Sequence, residues 1–241
     1  MNDIEYNLTD AIIERPQEFR VGRKGFKLYP VTLAKMYLLK RQVDELGVDT
    51  DVLKENVYLE ALRLAKEKRE VCSHILAYHT APNSYRDLFD SRAVTIRKNI
   101  FIKETSDEEL AALMIYVLTA DKTDEFLRHL GLDAERERMN KVIEAKRKGD
   151  KGSLTFGGLS IFGTFIGQLK EMGYSDNEIL YEKGYTYLRL MLADKITTIV
   201  LTDEERQSLY DSVGGSLIDA GNPESADKVK AVLAERGISV K

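Results

Sequence analysis

An uncharged, glycine-rich segment, residues 152–169, most constrains how this chain can fold. It reads GSLTFGGLSIFGTFIGQL and stands in a sequence in which 32% of residues are charged. Its apolar side chains point in nearly all directions around a helix, so one protein face is not expected to bury them all. We therefore expect a helix that packs tightly inside the fold or presents an apolar face to another chain.

Two readings of this segment stay open. Gly163 and Gly167 have the four-residue spacing that lets a second helix approach closely, which is consistent with packing inside the monomer. The alternative is a groove for an apolar partner segment. Including leucines of a later helix, the candidate partner-binding residues are Phe156, Leu159, Phe162, Phe165, Ile166, Leu169, Leu188 and Leu192.

The remaining pattern predicts a mainly α, multi-helix globular protein with a small N-terminal β-hairpin. Residues 17–29 alternate apolar and polar side chains around Gly22 and Gly25, which is typical of a hairpin. Thr32 and Gly47 have the residue types that begin and end a helix. The spacing then predicts one long helix over 51–79, while 91–104 is compatible with either strand or helix.

Three capping boxes predict further helix starts, at Ser106, Ser175 and Thr202, each followed three residues later by glutamate. A short helix is also expected from Thr123, and a charged helix over 133–148. Residues 149–152 are interpreted as a linker, so we predict an N-terminal domain over 1–148 and a C-terminal helical domain over 153–241 that contains the candidate partner face.

Composition narrows the functional classes. The formal net charge of −4 argues against a general nucleic-acid binder, although a local basic patch remains compatible with it. Cys72 is the only cysteine, which excludes an intrachain disulfide and favours a reducing, cytoplasmic compartment. The glycines and polar residues of the uncharged segment argue against a membrane span, and no apolar signal core begins the chain.

The sequence predicts no catalytic, cofactor or metal site. His74 and His79 are five residues apart on a helix and so point to different faces. Cys72 and His74 are two apart and cannot face each other as nucleophile and base. The glycines match no phosphate-binding fingerprint. We therefore expect a binding protein, not an enzyme.

Residues 26–47, and more so the run FIGQLKEMGYSDNEILYEKGYTYLRLMLADK over 165–195, resemble the tail assembly chaperones of tailed bacteriophages and prophages. The shared pattern is an apolar helix, a Gly-Tyr-Ser turn at 173–175, an acidic capped helix with Glu-Ile-Leu at 178–180, and a leucine-rich helix at 187–192. The resemblance covers about 60 residues.

This resemblance implies a non-enzymatic protein of the bacterial host cytoplasm. It implies binding to apolar helical segments of the tape measure protein and assistance to tail tube subunits, with a homo-oligomer possible. The alternative is a structural tail or neck adaptor that stays in the virion. A helix-turn-helix regulator is disfavoured because no capped helix carries an arginine- and lysine-rich face.

Overall fold

The computed structural model describes residues 3–149, 160–196 and 198–203. It confirms a mainly α protein with a two-stranded antiparallel hairpin near the N-terminus. The chain divides into two compact units. The first contains the described parts of Met1–Asp133 and Phe156–Lys195, and the second those of Ala134–Thr155 and Ile196–Lys241. This grouping differs from the predicted division at residues 149–152.

The hairpin follows helix α1 (Asp3–Ile12) and consists of β1 (Gln17–Val21) and β2 (Lys24–Leu28). Phe19 pairs with Phe26 across the ladder, and both rings stack near Phe101. Gly22 begins the turn with φ +56°, a conformation that glycine adopts without strain. The predicted hairpin is confirmed.

Helix α2 (Leu33–Leu46) begins and ends where its capping residues predict. The Thr32 side chain accepts a hydrogen bond from the Lys35 backbone N–H, and Gly47 ends the helix in the left-handed conformation. Local side-chain chemistry is therefore sufficient to set both ends.

The single helix predicted over 51–79 is wrong. The structure has three helices there: α3 (Thr50–Glu55), α4 (Val57–Glu67) and α5 (Arg69–His79). Asn56 ends α3 in an extended conformation, and its side chain caps α4 by accepting from the N–H groups of Tyr58 and Leu59. Lys68 makes the second break with a non-helical backbone. The apolar spacing continues across both breaks, so periodicity alone does not reveal them.

Residues 91–104, compatible with strand or helix from sequence, are helix α7 (Ser91–Glu104), which follows the short α6 (Tyr85–Phe89). The Asp90 side chain caps α7 by accepting from the Ala93 N–H. Val94 and Phe101 are buried at a seven-residue spacing, which is helical rather than alternating.

Ser106 and Glu109 form the predicted capping box at the start of α8 (Asp107–Leu118). Two helices follow: α9 (Thr123–His129) and α10 (Leu132–Gly149). Further along the chain are a π-helical turn (Phe162–Ile166), α11 (Gly167–Glu171), a second π-helical turn (Glu178–Glu182) and α12 (Tyr185–Ala193). Ser175 and Glu178 form the second predicted box. The helix predicted after Thr202 lies almost wholly outside the described residues.

Three apolar clusters hold the first unit together. The main cluster joins the hairpin to α2, α4, α5, α7 and α8. The second cluster joins Leu33 of α2 to Ile166, Leu169, Ile179 and Leu188. The third joins Leu8 to Phe126, Leu127 and Leu190. Residues 160–195 therefore pack onto N-terminal elements through the second and third clusters.

Candidate functional site

Of the candidate partner-binding residues, the structure brings five together in the second cluster. Leu169 and Leu188 are fully enclosed and Ile166 is buried, whereas Phe165 and Leu192 are half-buried at its edge. A partner could contact the three buried side chains only if the cluster opened. Phe165 and Leu192 are therefore the two candidates in this cluster that a partner could contact without opening it.

The other three candidates are not placed by the structure. Phe156 and Leu159 lie outside the described residues, and for Phe162 the backbone alone is described, within the first π-helical turn. Their partner-binding role stays a prediction.

Aromatic side chains line the edge of the second cluster. The rings of Phe165 and Tyr185 lie 5.4 Å apart, and the Arg189 guanidinium lies 5.9 Å from the centre of the Tyr185 ring. The Tyr174 and Tyr187 hydroxyls approach to 3.4 Å. Burial, followed by this hydrogen bond, raises the pKa of Tyr174 to about 12. The edge thus offers half-exposed aromatic surface with polar groups beside it, a composition common at protein interfaces.

Both π-helical turns lie in this cluster: Ile166 comes from the first turn, and Ile179 from the second. A π-helical turn adds a residue to the helical repeat and is found frequently at functional sites. Here the two turns flank α11 and place Ile166, Leu169 and Ile179 into one core. Single-sequence periodicity does not predict such turns.

Backbone contacts fix α12 onto the start of α2. Thr32 and Gly184 form an isolated antiparallel bridge, and the Tyr185 N–H donates to the Val31 carbonyl at 2.7 Å. These bonds hold the aromatic edge at a fixed position against the N-terminal elements.

A second feature, which the sequence analysis did not predict, is a fully buried lysine. The Lys35 ammonium donates to the Ala81 carbonyl at 2.9 Å and lies 5.5 Å from the centre of the Tyr29 ring. Burial, with the nearby Arg97 charge, lowers the pKa of Lys35 to about 7. Burial also lowers the pKa of His79 to about 3, and the Lys35 charge adds to this.

The spacing of the buried residues along α2 indicates that Lys35 would be buried. Lys35 lies four residues before Leu39 and eleven before Leu46, so all three occupy one helical face. A lysine on the apolar face of a helix is uncommon and, when buried, marks functional sites more often than chance.

A third surface carries exposed aromatic rings. Tyr85 and Phe89 of α6 are more than half exposed and stack 4.8 Å apart, and the Tyr181 ring lies 5.4 Å from Tyr85. Exposed rings that pack on one another form a preorganised contact surface.

Comparison with protein-family models, curated proteins and solved structures finds no significant match to this chain. Within the described residues, none of the helices has the length and apolarity that crossing a bilayer demands. The same residues hold no group of three histidine, cysteine or acidic side chains placed to bind a metal ion.

Proposed function

We propose that this chain is a tail assembly chaperone of a tailed bacteriophage or prophage. In this proposal it binds apolar helical segments of a tape measure protein in the host cytoplasm and assists addition of tail tube subunits. The role is one of binding, without catalysis. The sequence pattern over residues 165–195 supports it, as that run resembles this family.

One observation carries the proposal: the half-exposed aromatic edge of the second cluster lies within that same run. Phe165, Tyr185 and Leu192 offer apolar surface that an amphipathic helix could cover. Their partial burial favours modest affinity at each contact, because little additional apolar area remains to be covered. A chaperone needs modest affinity, since its client must be released as the tube grows.

Client capture tests the proposal directly. The protein is co-expressed with a tagged tape measure fragment and retained material is quantified for the unaltered chain, Phe165→Asp and Leu59→Asp. Leu59 is 55% exposed on α4 and serves as the matched control for adding a charge to exposed apolar surface. We expect Phe165→Asp to abolish capture and the control to retain it.

Phe165→Ala, with circular dichroism and thermal melting of each variant, separates loss of binding from loss of folding. Capture that survives both Phe165 variants in folded protein would overturn the assignment of the binding face. Mass spectrometry of purified virions distinguishes the alternative role: a chaperone is absent from finished particles, whereas a tail or neck adaptor is present.

A further inference from the structure

A groove of about 860 Å³ lies where the hairpin meets α7 and the end of α5. It shares none of the residues of the second cluster. Basic and aromatic side chains dominate its lining. The lining includes Arg20, Lys24, Lys27, Tyr29 and Arg97.

The groove is strongly basic although the chain is acidic overall. Residues 17–28 and helix α7 together contain eight lysines and arginines and two acidic residues, Glu18 and Glu104. Both acids are in ion pairs, Glu18 with Lys27 at 2.7 Å and Glu104 with Lys24 at 2.9 Å. Among the described residues, Arg20 and Arg97 have no carboxylate partner. Two guanidinium groups are therefore available to an anion from outside.

The buried Lys35 lies behind the residues that line the groove and adds positive charge there. Tyr29 and Pro82 line the groove, and Lys35 lies against the Tyr29 ring and bonds to the carbonyl preceding Pro82. Arg97 is close enough to disfavour protonation of Lys35, and among the described residues no carboxylate pairs with either. A charge buried without a counter-ion is costly, and an anion in the groove would offset that cost.

Gly25 leaves an open approach to the groove wall. It lies inside β2 and lines the groove, its φ is not positive, and a Cβ there would meet nothing within 4 Å. Neither backbone conformation nor packing in this chain therefore requires glycine. A glycine inside a strand often marks a position where a ligand comes close to the backbone.

We propose that this groove binds single-stranded nucleic acid. Phosphates pair with Arg20, Arg97 and the neighbouring lysines, and a base stacks against the half-buried ring of Tyr29. Basic grooves with aromatic lining bind single strands in this way. An acidic peptide would match the charges and leave the Tyr29 ring unused, so the lining favours a nucleic acid.

This proposal departs from the expectation drawn from net charge. That expectation averages over the whole chain, whereas phosphate binding responds to charge within about a Debye length, roughly 10 Å. Three of the eight basic residues on the hairpin and α7, namely Lys24, Lys27 and Lys98, are paired with glutamates. The local charge is still positive, because the basic residues outnumber these acids. The function proposed for the aromatic edge does not depend on this groove.

Fluorescence anisotropy with a labelled oligothymidine of about twelve nucleotides tests the proposal. Arg20→Gln combined with Arg97→Gln is compared with Lys40→Gln combined with Lys54→Gln, which removes equal charge from exposed positions outside the groove. We expect the groove pair to weaken binding at least about tenfold and to reduce the salt slope by about 1.4, since each lost phosphate contact lowers it by about 0.7. The control pair should change the affinity by less than about twofold.

Gly25→Val is a second variant, which narrows the groove without removing charge. We expect it to weaken binding of the oligonucleotide. If thermal melting shows that this variant does not fold, Gly25→Ala replaces it. A labelled oligoglutamate peptide of equal charge is the competing ligand. Equal losses in the two charge pairs, unchanged binding by a folded Gly25 variant, or a peptide affinity equal to that for the oligonucleotide would each overturn the proposal.

Discussion

The Glu14 carboxylate accepts a hydrogen bond from the backbone N–H of Gly184, 170 residues further along the chain. The second carboxylate oxygen lies 3.4 Å from the Lys183 ammonium. Glu14 itself has φ +53°, which is uncommon for a residue other than glycine. The end of α1 is thus fixed to the segment that precedes α12, and a strained backbone is retained where this contact forms.

Glu14→Ala is expected to lower the free energy of unfolding by about 1–3 kcal/mol, because the buried Gly184 N–H loses its acceptor. Urea unfolding monitored by circular dichroism measures the loss. Glu55→Ala, at an exposed position of α3, is the control and should change stability by less than about 0.5 kcal/mol. Equal stability of the two variants would show that the Glu14 contact contributes nothing.

Gly184→Ala should also destabilise the protein, through steric contact. An added Cβ would lie 3.1 Å from both the Pro30 Cβ and a Glu14 carboxylate oxygen. Because the proline ring is stiff, we expect a loss of about 1–3 kcal/mol, typical of overpacking. Gly25→Ala, where a Cβ meets nothing, is the matched control. A Gly184→Ala variant as stable as this control would contradict the close approach.

Lys35→Met should change how stability depends on pH. With the folded pKa of Lys35 lowered to about 7 and an unfolded value near 10.5, the unfolded chain holds the extra proton between those pH values. Stability of the unaltered protein therefore rises with pH through this window, by on the order of 5 kcal/mol. Below pH 7 both states are protonated and this contribution is constant.

The Met variant lacks this contribution. Its stability relative to the unaltered protein should be highest below pH 7 and should fall towards pH 10.5. Urea unfolding of both proteins at several pH values measures the difference. The Lys35 charge also lowers the pKa of His79, so the two proteins are compared above pH 6.5, where His79 is neutral in both the folded and the unfolded state. If the free energies of unfolding of the two proteins change in parallel with pH, the pKa of Lys35 is not lowered in the folded state.

Cys72 should be inert towards thiol reagents in the native state. Its side chain is fully buried, the thiol donates to the Leu64 carbonyl, and burial raises its pKa to about 12. We expect modification at pH 8 to be at least about 100-fold slower in native than in denatured protein, limited by opening of the main cluster. A rapid native reaction would contradict this burial.

Arg63→Ala should cost about 3 kcal/mol, because it leaves the buried Glu60 carboxylate unpaired. Glu60 accepts from Arg63 at 2.6 Å and 2.8 Å and from the Asp49 N–H at 2.7 Å, and the hydrogen bond from Arg63 lowers its pKa. Glu67→Ala removes the exposed partner of the same arginine and should cost less than about 1 kcal/mol. Thermal melting measures the stability of both variants. If Arg63→Ala and Glu67→Ala lose similar stability, the buried Glu60 carboxylate does not depend on Arg63.

The helical class, the hairpin and several helix starts could be predicted because they depend on residues near one another in sequence. Thr32 caps α2 through an atom three residues away, and the boxes at Ser106 and Ser175 act over the same distance. The breaks at Asn56 and Lys68 were missed because the apolar spacing runs through them. The candidate partner face was predicted as a group of residues, without their separation into buried and half-exposed members.

By itself the sequence determined the local features: turn residues, caps and apolar periodicity, which require contacts over three or four positions. Tertiary structure alone decided which side chains are enclosed. It made 91–104 a helix, placed Leu169 and Leu188 in a core with Leu33, and buried Lys35 beneath Tyr29. Burial depends on side chains far apart in the chain, and no local pattern specifies which of them will meet.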